Sequence, residues 1–94
     1  MNANQLFTII DRQQAAIIQD VCNATSAAEM QAAVSKMALV TDLWREAGRE
    51  VAVGCVARAI INMCDFRAKN AGTTKEERVA FCLIPAMLKE AKIY

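Results

Sequence analysis

The sequence has no histidine and only one proline, three glycines, one tryptophan and one tyrosine in 94 residues. Without histidine, the commonest general base, the commonest metal ligand and the usual partner of a nucleophilic serine or cysteine are missing. With so little glycine and proline, the chain lacks the turn punctuation of a many-stranded β fold. The glycines stand at 48, 54 and 72 and form no phosphate-cradling loop. No excess of one charge exists either: 11 basic and 10 acidic residues leave a net +1, too little for a long-range field toward nucleic acid or anionic lipid. The N-terminal stretch MNANQLFTIIDRQQ has no basic n-region, apolar h-region or cleavage site, so it is not read as a signal peptide, and a cytoplasmic location is expected.

Cys22, Cys55, Cys64 and Cys82 are separated by 33, 9 and 18 positions, with no CxxC pair. Nine residues on a helix turn Cys55 and Cys64 to opposite sides, so the spacing offers no zinc or iron–sulfur site, and all four are expected to be reduced core residues. Catalytic, metal and cofactor-binding residues are therefore expected to be none. The acidic pairs Glu46/Glu50 and Glu76/Glu77 have structural explanations, as a solvated charged face and a helix N-terminus.

What the chain does contain is apolar and helical. Hydrophobic residues make up 55% of it, and 18 positions are alanine, which favours helix and close helix contact. The fold class is all-α, a single domain over 1–94, built as a small bundle of four to five helices at about 3–22, 27–47, 49–70, 74–84 and 85–92. In the first, Leu6, Ile10, Ile17 and Val21 form a stripe widened by Phe7 and Ile18, Asn2 or Asn4 can cap, and Gln14 intrudes on the apolar face. Ser26-Ala-Ala-Glu29 has capping-box spacing and opens the second, whose apolar side is Met30, Ala33, Val34, Met37, Val40 and Trp44.

Gly48 offers a C-cap that ends the second helix. A helix beginning just after it has no Ser, Thr, Asp or Asn to cap it, and the apolar phase continues through Val51, Cys55 and Ala59. Helices two and three are therefore read as broken at Gly48, with one continuous or kinked helix as the alternative. A homodimer is among the expected assemblies in either form, and a continuous helix, ~66 Å long and more than a compact 94-residue domain covers, would come close to requiring it. The third helix carries Ala52, Val56, Ala59, Ile60 and Met63 and stops before Gly72. Thr73 and Thr74 both stand three residues before a Glu and reopen the chain.

The run from Val79 to Leu88, VAFCLIPAML, has no polar side chain and falls well short of the ~20 residues of a membrane span. A helix apolar on every side is normally buried all round, so the run is expected to be central core, with an interface as the alternative. Pro85 inside it predicts a kink or the start of a short fifth helix.

Residues 49–94 carry eight basic and five acidic residues, and the excess gathers at Arg67, Lys69, Lys75 and Arg78 around Gly72. Ala68, four residues before Gly72, resembles the turn of a helix-turn-helix, but Thr73 and Arg78 occupy positions where that motif packs apolar side chains. The expectation is a non-enzymatic protein-binding factor, a stoichiometric inhibitor or adaptor of the kind phages and mobile elements encode. Its partner-binding residues would be Arg67, Lys69, Lys75 and Arg78 with exposed edges of the last helix. The alternative is a small nucleic-acid-binding protein using the same corner.

Overall fold

A computed structural model of the protein describes residues 2–94. They form four helices, α1 (Ala3–Asn23), α2 (Ala27–Glu46), α3 (Glu50–Ala68) and α4 (Lys75–Glu90). Among the described residues there is no strand, and no helix is long and apolar enough to cross a membrane.

Local chemistry sets most of the boundaries. Asn2 caps α1 in a reciprocal box, its Oδ1 accepting from the Gln5 amide and its own amide donating to Gln5 Oε1, each at 2.9 Å. Ser26 Oγ accepts from the Glu29 amide at 3.2 Å and opens α2, while the Glu29 carboxylate accepts from the Thr25 and Ser26 hydroxyls.

The chain breaks at Gly48, which excludes the continuous helix and so removes the reason for which a dimer would be required. Gly48 takes φ 78°, the left-handed region that a side chain disfavours. Its amide donates to Arg45 O at 3.0 Å and the Arg49 amide to Trp44 O at 2.7 Å, the paired bonds of a Schellman motif that satisfy carbonyls left open at the helix end. As the sequence implied, no side chain caps α3.

Among the described residues there is no fifth helix: α4 runs through Pro85 to Glu90. Proline removes one amide donor from the ladder, but Phe81, Ile84 and Leu88 on either side of it are buried on one stripe, and that packing holds the segment helical. At its end Lys92 takes φ 59°, and the Lys92 and Ile93 amides donate to Lys89 O and Leu88 O. This second Schellman motif has a lysine where glycine is usual, with buried Ile93 two positions beyond the cap.

The cross-helix bonds fix the topology. Gln13 to Trp44 and Asp20 to Lys36 run α1 antiparallel to α2. Glu77 to Ala27 at one end and Arg45 to Lys92 at the other run α2 parallel to α4. Helices α2 and α3 lie against each other and against both outer helices, whereas no Cα of α1 comes within 8 Å of one in α4. The result is a flattened bundle of 48 × 23 × 17 Å with α1 and α4 on opposite edges.

One core fills it: Ile10, Ile17 and Val21 from α1, Met30, Met37 and Trp44 from α2, Val53, Val56 and Ile60 from α3, and Phe81, Ile84 and Leu88 from α4. Three expectations about burial change. Only Cys64 is a core thiol; Cys22, Cys55 and Cys82 are exposed, because each falls on the outward side of its helix. Gln14 is half-buried, but the α1 amide that makes the tertiary bond is Gln13, whose Oε1 accepts from buried Trp44 Nε1 at 2.8 Å. The run 79–88 is buried on one side only, since α4 lies at an edge and meets neighbours only on its inner face.

Candidate protein-binding surface on the last helix

Thr74 determines where α4 starts, its Oγ1 accepting from the Glu77 amide at 3.2 Å. This makes Lys75 the first helical residue and places Glu76 and Glu77 at the positive end of the helix dipole. Glu77 reaches across to α2: its Oε2 accepts from the Ala27 amide at 2.8 Å, satisfying a donor that α2 leaves open. One carboxylate thus joins the N-termini of two helices 50 residues apart in sequence and fixes the rotation of α4 against the bundle.

With that rotation, Phe81, Ile84 and Leu88 point inward. Helical periodicity then turns Val79, Leu83 and Ala86 outward, and Val79 and Leu83 are 52% and 58% exposed. Cys82 and Ala86 are exposed beside them. Lys75, Arg78 and Lys89 fall along one edge of this outer face and Glu76 along the other. The face is therefore an apolar stripe with a basic edge, Glu76 on the opposite edge and Glu90 at its end.

The four basic residues singled out around Gly72 do not act alike. Lys69, Lys75 and Arg78 are exposed. Lys69 pairs with Asp65 at 3.0 Å within α3, a solvent-exposed pair of small energetic weight. Arg78 Nη2 lies 3.5 Å from Thr73 O, against the turn that precedes its own helix. Arg67 faces the other way: it is half-buried, its Nε is fully covered, and it lines a hollow of about 300 Å³ with Thr25, Asn70, Thr73 and Glu77. Lys75 and Arg78 thus border the α4 stripe, Lys69 is engaged along α3, and Arg67 is turned into the hollow at the turn.

The turn between α3 and α4 is held by side chains. Asn70 Oδ1 accepts from the Gly72 amide at 2.9 Å, and Thr73 Oγ1 donates to Arg67 O at 2.7 Å. The two helices also enclose a hollow of about 210 Å³ lined by Ile61, Cys64, Asp65, Ala68, Phe81, Cys82 and Pro85. There burial, reinforced by neighbouring Cys82, pushes the Cys64 thiol up to about 11 and keeps it protonated.

The chain matches no protein-family model, no curated protein and no solved structure. Among the described residues no group of three or more His, Cys, Asp or Glu side chains is placed to hold a metal ion.

Two further apolar surfaces escaped the sequence reading. Leu39, 85% exposed, borders a groove of about 250 Å³ between α1 and α2, lined by Gln13, Ala16, Ile17, Lys36 and Val40, and Leu43 is exposed one turn further along α2. Val51 and Phe66 project from the outer side of α3. The signal was present: Leu39 and Leu43 stand four apart and out of phase with the Met30–Trp44 stripe, so one face of α2 could not have buried both sets.

Proposed function

We propose that the protein is a non-enzymatic binding factor, an inhibitor or adaptor that docks on a larger protein through the outer face of α4 and the basic corner beside it. The observation that carries this reading is the outward stripe Val79–Leu83, more than half exposed and continued by Ala86. Single exposed apolar residues are ordinary, but residues one turn apart on one face form a continuous patch that a partner groove can cover, in the manner of a helix laid into a hydrophobic cleft. Lys75 and Arg78 at its border select a partner with carboxylates along the matching rim and speed the encounter.

The reading is tested by affinity capture from host lysate with the full chain and with Val79→Asp combined with Leu83→Asp. A partner protein captured by the wild type and lost by the double variant, with helicity unchanged, is the expected result. Retention of that partner by the double variant overturns the reading. Binding of RNA or DNA that falls steeply with salt and is lost on Lys75→Glu with Arg78→Glu would replace it with the nucleic-acid alternative.

A further inference from the structure

Among the described residues none covers the outer side of α3. Val51 is 87% exposed and Phe66 60%, and Val51, Gly54, Cys55, Arg58, Ala59 and Asn62 line a shallow hollow of about 590 Å³ on this one helix. Gly54 weakens the middle of the helix, yet a Cβ at that position would meet nothing within 4 Å, so the packing of a single copy gives no reason for glycine there.

The charges on this face are arranged to complement themselves. Seven residues are close to two helical turns, so Arg58 and Asp65 stand on one edge of α3 and Ala59 and Phe66 along one stripe, each pair about 10 Å apart along the axis. Turning a second copy antiparallel about a two-fold axis at Asn62 sets Arg58 of each chain opposite Asp65 of the other. The same operation lays each Phe66 over the hollow at Ala59 and Cys55. Asn62 meets its own copy on the axis, where two amides can exchange hydrogen bonds, a device that specifies register. Asp65 bonds Lys69 through Oδ2, which leaves Oδ1 for the incoming guanidinium. A parallel pairing in register would instead oppose Arg58 to Arg58.

We propose that a second copy of this chain occupies the face, giving an isologous dimer through antiparallel α3 helices. The proposal is independent of the docking role of α4, whose stripe Val79–Leu83 lies on a different face and remains open in both copies. The test is sedimentation of the full chain over a dilution series. The expected result is a species of twice the 10.3 kDa chain mass that dissociates on dilution. Arg58→Asp or Asp65→Arg alone turns two attractions into two repulsions and raises the dissociation constant about tenfold or more, while the double swap restores it. Both residues are exposed, so the circular dichroism of all three variants stays that of the wild type. A single 10.3 kDa species at every concentration overturns the proposal, as does a dimer indifferent to the single swaps.

Discussion

At one end of the bundle the chain reverses through Gly48 in a left-handed conformation, and at the other it reverses around Gly72 by side-chain hydrogen bonds. At the Gly48 end α3 has no side-chain cap, and the closure relies on backbone geometry, on the Arg45–Glu50 ion pair at 3.0 Å across the turn and on side chains arriving from elsewhere. The Arg49 guanidinium stacks 4.4 Å from the centre of the Phe7 ring, Trp44 is tied to Gln13, and Arg45 Nη1 donates to Lys92 O at 2.6 Å. At the Gly72 end Ser26, Thr74, Asn70 and Thr73 each satisfy a backbone group within six residues, and only Glu77 reaches across the fold. One end is held mainly by contacts between distant segments, the other mainly by local chemistry.

The sharpest way to break the Gly48 end is Trp44→Ala. It deletes a fully buried indole and leaves Gln13 without its donor, and a loss of about 3–5 kcal/mol in urea denaturation followed by circular dichroism is expected. At the opposite end, Glu77→Ala removes the one long-range cap and strands the Ala27 amide. A loss of about 1–2 kcal/mol is expected, with Glu77→Gln, which keeps an acceptor oxygen, closer to wild type.

The two glycines sharpen the contrast directly. Gly48→Ala meets no steric obstacle but must hold a left-handed conformation, at a cost of about 1 kcal/mol. Gly72 is not left-handed, and its Cβ would meet only Asn70 Oδ1 at 3.4 Å, so Gly72→Ala shifts stability by about 0.5 kcal/mol or less. Equal losses at the two sites would refute the distinction between the ends. The one effect of opposite sign is a gain: Lys92→Gly relieves the left-handed lysine at the end of α4 and adds a few tenths of a kcal/mol, read as a rise in melting temperature.

The same division explains what could be read from the sequence. Asn2, Ser26 and Thr74 announced three helix starts because a cap acts on an amide three residues away, within reach of a local pattern. Gly48 was legible as a stop, and the missing cap after it as a weakness. The fifth helix was not, since Pro85 signals a break locally and the burial of Phe81, Ile84 and Leu88 overrides it. Gln14 drew attention as the polar residue within the stripe, but Gln13 faces α2, and only the position of Trp44 across the interface decides between neighbours. In the candidate site, the apolar run at 79–88 was plain, whereas the side left open to solvent depended on how Glu77 docks α4 onto α2. Arg67 turned inward for a related reason: its place near the end of α3 faces Thr25 and the turn, a relation between residues 42 positions apart.

The separation of the α1 and α4 backbones has a dynamic consequence. Each outer helix rests chiefly on the α2–α3 pair, so neither must move far when the other detaches. Two separate opening reactions follow, each sub-global, with amide protons of α1 and α4 exchanging on their own schedules above a slower central hairpin.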